Sequence, residues 1–442
     1  MTDLALAQVD SGDRSTHELH GDLPPSRLRL KVLVCAYACS PARGSEFGVG
    51  WGWVEAISRY HDLWVITGAQ SKGEIEAELQ RKPELASRLH FHYIARKRYE
   101  RVEPFWPPAY LFTYKNQWLR AAFQAGRQLH QQVRFDIVHQ LTYVGFRVPG
   151  WLWKLDIPFV WGPIGGLEQT SWSLIPTLGL RGMLHFTARN LINDLDRRFL
   201  RDPKRAFAKA NGGIIAATTG IQRAIKRFYR HDSVVISEIG LPPITCHEPA
   251  RRPTSAPLSL LWCGNHLPGK ALPFLLDALG KLPSDLNWKL TIIGSGPCTP
   301  AWQAIARSRG IAGRCEWLGQ VPRESVLHQM QSAHALVITS VHDLTSTVLV
   351  EALANGLPVV CPDHCGFTDA ITPQCGIKVP ASTKHALVQG LVSAIALLND
   401  ENLRLRLAHG ALLRGADYEW DRKAQIVSNI YFQKCAHSAV TA

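Results

Sequence analysis

Residues 343–351, DLTSTVLVE, concentrate carboxylates and hydroxyls in one short stretch. An apolar, β-branched run at 335–339 precedes them, and Asn355-Gly356 and a second apolar run at 357–361 follow. That pattern predicts strand, loop, helix, turn, strand. Thr345, Ser346 and Thr347 then fall at the helix start, where backbone N–H groups lack intrahelical partners and hydroxyl side chains are favoured. Such a start, with the positive end of the helix dipole behind it, is an anion site. Glu351 lies more than a turn further in, placed to accept hydrogen bonds from vicinal hydroxyls of the same ligand. Asp343 adds a carboxylate just outside the helix. A diphosphate joined to sugars at both ends would use all three features. In the plainer alternative Asp343 is a loop residue, Ser346 a simple cap and Glu351 a solvated helix position.

Other candidates sit after apolar runs. Residues 264–270 (GNHLPGK) bring Asn265 and Lys270, and Lys270 could reach the same phosphates; without GxxxxGK[ST] this is not a P-loop. Gly294 and Gly296, in GSGP, form a turn of the kind that lets backbone approach a nucleotide. Gln320 and Val321 end the 317–322 stretch (WLGQVP), where exposed backbone could pair with a base edge. In the first half, Gly44, Ser45 and Glu46 belong to a loop that could touch a phosphate or sugar from the opposite side, and it lacks the GxGxxG spacing of a dinucleotide site. His139 lies near a strand end, either as a site residue or as a hydrogen-bonded core histidine. The GPIGGLE turn at 162–168 is either structural or a substrate loop. Aromatic residues over 105–118 suit an interfacial patch or core packing. No GxSxG, HExxH or paired His/Cys metal spacing occurs.

These loops need a scaffold, and the apolar periodicity supplies one. Strands are expected at 27–36, 63–67, 89–94, 136–141, 158–161, 214–217 and 234–239, with helices at 49–60, 73–81 and 110–132 between them. A Pro-rich stretch over 247–257 reads as a linker. Strands then recur at 258–263, 288–293, 315–318, 335–339, 357–361 and 376–379, again alternating with helices. Alternation of this kind implies parallel, doubly wound sheets. The expected divisions are a disordered tail (1–26), a first Rossmann-like domain (27–245), the linker (246–257), a second Rossmann-like domain (258–415) and a terminal helix (416–442) packing back on the first. Two such domains place a ligand in the cleft between them, beyond the carboxyl ends of the strands.

The composition fits a globular α/β chain: 442 residues, 46% hydrophobic and 19% charged. No apolar run reaches the length of a membrane span, and residues 1–25 are too polar for a signal peptide. The ten cysteines form no CxxC pair, which favours buried cytosolic thiols over disulfides or zinc. The net charge of +13 is concentrated: residues 181–230 hold 12 Lys/Arg against 3 Asp/Glu, and residues 96–134 hold 8 against 2. That face could meet anionic lipid, a phosphorylated substrate or nucleic acid, although no nucleic-acid-binding module accompanies it.

With these motifs assembled, the chain resembles the family-4 glycosyltransferases of the GT-B fold over about residues 30–431. The likeness is most specific in Asp343-LTSTVLV-Glu351 followed by NGLPVV, which matches that family's carboxylate-x7-Glu motif. YACSPARGSEFGVGW, DIVHQLTYVGFRVP and PFVWGPIGG in the first half resemble a bacterial branch found in polysaccharide gene clusters. The resemblance implies two Rossmann-like domains facing each other across a cleft. It implies retaining transfer of a hexose from a nucleoside-diphosphate sugar to a glycan or lipid-linked hydroxyl, without metal or cofactor. Glu351 would hold the donor ribose, Lys270 and the backbone of Thr345, Ser346 and Thr347 the diphosphate, and Asp343 the transferred sugar. Gln320 and Val321 would sit near the base, Gly44 and Ser45 would close over the donor, and His139 would lie near acceptor or sugar. Asn265 stands where the family has arginine, and Asp343 is shorter than the usual glutamate. A cytoplasmic location, peripheral on an anionic membrane surface, goes with this reading. A sugar-nucleotide epimerase or a GT-B scaffold without turnover are the alternatives.

Overall fold

The inner strands of both sheets are short, mostly apolar and buried along nearly their whole length, the pattern of strands covered on both faces. The computed structural model describes residues 29–96, 114–243 and 256–441. The expected tail, nearly all of the linker, and residues 105–113 of the aromatic stretch lie outside them.

The first domain contains β1 (Lys31–Ala36), α1 (Ser45–Ser58), β2 (Asp62–Gly68), α2 (Lys72–Arg81), α3 (Pro83–Ala86), β3 (Leu89–Ile94), α4 (Leu119–Val133), β4 (Ile137–Thr142) and β5 (Phe159–Ile164). It continues with α5 (Gly179–Phe199), α6 (Arg201–Lys209), β6 (Ile214–Ala216), α7 (Thr219–Tyr229) and β7 (Val234–Val235). Its seven strands run β3-β2-β1-β4-β5-β6-β7, all parallel. Two expectations change here. The strand expected over 234–239 stops after Val235, because the chain leaves the sheet to cross toward the second domain. Helices α5, α6 and α7 occupy a stretch that the charge pattern marked only as basic.

The second domain holds β8 (Leu258–Cys263), α8 (Pro273–Leu279), β9 (Trp288–Ile293), α9 (Thr299–Ser308), β10 (Cys315–Gly319), α10 (Arg323–Ser332) and β11 (Ala335–Val337). Then come α11 (Thr347–Ala354), β12 (Val359–Pro362), α12 (Cys365–Ala370), β13 (Gly376–Val379), α13 (Lys384–Leu397), α14 (Glu401–Ala416) and α15 (Trp420–Thr441). The six-stranded sheet runs β10-β9-β8-β11-β12-β13, also parallel. In both sheets the order reverses between the first and fourth strands, which opens a crevice at the strand ends.

Two chain crossings join the domains and pair with each other: Leu241 N–H donates to Tyr418 O at 2.8 Å and Trp420 N–H to Leu241 O at 2.9 Å. Helix α15 returns over the first domain, where Trp420 meets Trp53 edge-on and buried Tyr431 reaches into the core. A third tie is electrostatic. The Asp369 carboxylate accepts from Thr219 N–H (2.7 Å) and Thr219 Oγ1 (2.6 Å), so the second domain supplies an acceptor to the start of α7.

Candidate active site

The ends of β8, β9 and β10 are knit together by main-chain bonds: Gly264 N–H to Ile293 O, His266 N–H to Ser295 O, and Gly294 N–H to Gly319 O. Gly294 has φ +115°, and a Cβ there would stand 2.0 Å from Gly264 O, so only glycine lets the two loops approach. Beside them, β11 leads through residues 338–346 into α11. Between these loops and the first domain lies a cavity of about 560 Å³. Its second-domain wall includes Asn265, Lys270, Gly294, Gln320, Val321 and Asp343, with Thr345, Ser346 and Thr347 at the helix start. Its first-domain wall includes Ser45, Glu46, Val144 and Glu238.

Lys270 comes from a short turn after β8, and its Nζ is 2.5 Å from Asp343 Oδ2. The lysine also accepts at its main-chain oxygen from Thr339 Oγ1 (2.7 Å), which fastens its turn to the loop that carries Asp343. Ser346 is the residue before α11, with extended backbone and no side-chain capping bond. The glycine-rich turn after β5 meets the same loop: a Cβ on Gly165 would lie 2.6 Å from Leu344 Cδ1.

Glu238 was not among the residues singled out by sequence. It lies on the first crossing, where Trp53 Nε1 donates to its main-chain oxygen at 3.0 Å. Its Oε1 accepts the Thr345 N–H at 3.0 Å, and its Oε2 is buried without a hydrogen-bond partner. Burial pushes its carboxyl group up, with Asp343 adding to the rise and the Thr345 N–H and Lys423 opposing it. Lys423 is itself buried and pushed down; it donates to Ser237 O (3.0 Å) and Ile239 O. Glu46 is also raised by burial and accepts from Val144 N–H at 2.8 Å. Among the described residues lining the cavity, Lys270 is the one cation, against Asp343, Glu46 and Glu238. A dianionic ligand would meet repulsion there unless the two buried carboxyls were neutral or moved.

Not every sequence candidate reaches the cavity. Glu351 is buried one turn along α11 but does not line it; Oε1 accepts from Arg323 Nε (2.9 Å) and lies 2.8 Å from Nη2. Gly44 precedes α1 without lining the cavity, and a Cβ there would touch nothing. Gly296 is absent from the wall because its turn closes on Thr299 Oγ1.

The expectation that His139 lies near acceptor or sugar is corrected. Its side chain is fully buried, with Nδ1 2.6 Å from Tyr431 Oη and Nε2 2.7 Å from Gly162 O. Facing a carbonyl, Nε2 carries the proton, and Nδ1 accepts from the tyrosine hydroxyl. Burial lowers its pKa to about 4. It is a core histidine that joins β4 to β5 and α15.

Residues 253–412 match the family described as "Glycosyl transferases group 1". The D-inositol 3-phosphate glycosyltransferase of Corynebacterium glutamicum is 26% identical over 349 residues, covering 72% of this chain and 78% of that protein. Matches to several other curated glycosyltransferases span less than half of those proteins. Among solved structures, sucrose-phosphate synthase from Thermosynechococcus elongatus superposes with a TM-score of 0.60 at 15% identity, covering 92% of this chain and all of that one. The Anabaena HepE complex with UDP-glucose gives 0.53 at 14% identity, over 94% of this chain and all of that one. Two parallel Rossmann-like sheets flanking a cleft, with these neighbours, make this a GT-B fold whose second domain carries the group 1 glycosyl transferase match.

Proposed function

We propose that this chain transfers a hexose from a nucleoside-diphosphate sugar to a hydroxyl of a glycan or lipid-linked acceptor, with retention of anomeric configuration. The observation that carries this reading is the Lys270–Asp343 pair beside the open start of α11, in a cavity walled by both domains. The group 1 family match supports glycosyl transfer as the activity. A diphosphate entering the cavity competes with Asp343 for the Lys270 ammonium and takes main-chain N–H groups of residues 345–347. Asp343, released from that pair, is free to meet a hydroxyl of the transferred sugar. The bond between the anomeric carbon and the leaving phosphate oxygen breaks. The acceptor oxygen bonds to the same face, and its proton passes to the leaving diphosphate. Lys270 and the helix start stabilise the charge that develops there, which needs no metal in this reading. Glu351, once separated from Arg323, would take the ribose hydroxyls, with Gln320 and Val321 near the base.

We place the reaction in exopolysaccharide or cell-surface polysaccharide biosynthesis, at the inner face of the cell membrane. No helix among the described residues is long and apolar enough to cross a membrane. The deciding experiment measures consumption of UDP- and GDP-sugars with and without lipid-linked acceptors, after a thermal-shift screen for the stabilising donor. Consumption only with acceptor is the expected result. An altered free sugar without acceptor would indicate an epimerase, and binding without consumption a scaffold. Lys270→Ala should lower kcat by about a hundredfold or more while Tm barely moves; equal loss of both would make the lysine structural.

A further inference from the structure

Helix α5 has two unlike faces. Gly182, Phe186, Asn190, Asn193 and Arg197 are turned inward. Asn190 exchanges hydrogen bonds with the main chain of Thr170, and Arg197 donates to Leu167 O. On the opposite side Leu180 (69% exposed), Leu184, Leu191, Ile192, Leu195 and Phe199 (72%) face solvent. At about 100° per residue these six occupy roughly one third of the circumference, along a helix about 30 Å long. They are half of the exposed large hydrophobic residues among those described, and they lie on a single element. A contiguous apolar strip of this kind on an otherwise polar surface marks an interaction site.

The surrounding charge indicates what covers the strip. Arg181, Arg198, Arg201, Lys204 and Arg205 are exposed at its ends. The inward side of the same helix contributes Arg197 to a second cavity of about 770 Å³, where Arg223 and Arg227 add two more guanidinium groups. His364 lines that cavity and its Nε2 lies 2.8 Å from Ser340 O, so the wall backs onto the loop of the proposed reaction centre. Two copies meeting through this strip would bring like charges together. A surface of lipid phosphates complements both the apolar strip and its cationic border.

We infer that α5 lies in the plane of an anionic lipid bilayer, its six apolar side chains at the boundary between headgroups and acyl chains and its arginines against lipid phosphates. The docking stands apart from the transfer reaction. What it adds to the functional reading is the place where a lipid-linked acceptor would meet the cleft.

The test is co-sedimentation of the full chain with vesicles of mixed phosphatidylcholine and phosphatidylglycerol, and with pure phosphatidylcholine. The chain should pellet with the mixed vesicles, weakly with the neutral ones, and less as salt is added. A Leu184→Glu, Leu191→Glu, Leu195→Glu variant should bind the mixed vesicles at least about tenfold more weakly, with Tm and donor affinity unchanged because the three positions are exposed. An Arg198→Glu, Arg201→Glu, Arg205→Glu variant should lose the preference for anionic lipid. Equal pelleting of the leucine variant and the wild type, or failure of the wild type to pellet, would overturn the inference. So would a wild-type dimer in sedimentation velocity that the leucine variant dissolves without any difference on vesicles, since the strip would then belong to a second copy.

Discussion

At the scale of single residues, Glu238 holds the place an anion would take. Its Oε1 occupies the Thr345 N–H at the start of α11, and its burial favours the neutral carboxyl. Its folded pKa is raised, so it is neutral at low pH and becomes charged as pH rises through that value. Affinity for a nucleoside-diphosphate sugar should therefore tighten as pH is lowered through that range. Glu238→Gln keeps an oxygen for Thr345 and removes the charge; calorimetry should then show donor affinity several-fold higher at pH 8 and a weaker pH dependence, that of Glu46 remaining. Weaker donor binding in this variant would instead assign the carboxylate to a sugar hydroxyl. Glu351 makes a separate case, since Arg323 already holds its carboxylate and is itself largely exposed. A solvent-facing partner is readily exchanged. Glu351→Ala should cost about 1.5–3 kcal/mol of donor binding, as for a lost charge-assisted hydrogen bond. Unchanged affinity would remove it from the ribose site.

At the scale of elements, α15 is tied to the first domain by two buried histidines. His139 Nδ1 accepts from Tyr431, and His61 Nε2 lies 2.9 Å from Ser428 Oγ. Burial lowers both pKa values from 6.5 to about 4. Below pH 6.5 the unfolded chain takes up protons that the folded one refuses, so stability present at neutral pH is lost as pH falls toward 4. For His139 alone the loss is on the order of 3 kcal/mol. Tyr431→Phe leaves His139 Nδ1 unpaired in the core and should lower stability by about 1–3 kcal/mol in urea unfolding, with kcat/KM of the folded protein unchanged. A variant with intact stability and lost activity would return His139 to the site. The helix that covers His139 is encoded almost 300 residues later, so inspection of VHQLT could not distinguish a core histidine from a cleft one.

At the scale of the molecule, both domains must hold their register for Ser45, Glu46 and Glu238 to face Lys270 and Asp343. The Asp369–Thr219 clasp is one of the ties that hold it, since it meets a helix start with a carboxylate. Asp369→Ala should raise the donor KM several-fold and increase the radius of gyration in small-angle scattering, while far-UV circular dichroism stays unchanged; an unaltered radius would show that the other contacts between the domains set the cleft without this clasp. Much of the scaffold was legible beforehand. Strand runs at 89–94, 258–263, 288–293 and 376–379 coincide with β3, β8, β9 and β13. The inner strands β8 and β9 are nearly unbroken apolar runs because both faces are covered, whereas the edge strand β3 shows the alternation of a half-covered strand. The Ser346 helix start and the Lys270 loop were also readable, since caps and post-strand turns are written in neighbouring residues. Helix α5 was not, as its outward leucines interleave with arginines and defeat a simple reading of charge. The chain by itself determined where backbone N–H groups and carboxylates occur along the motif from 343 to 351. Only tertiary packing decided that Glu238 reaches Thr345, that Glu351 turns to Arg323 and that His139 is sealed under α15. Local sequence sets dihedral preferences and periodic burial, whereas the field at a charged group depends on neighbours drawn from distant parts of the chain.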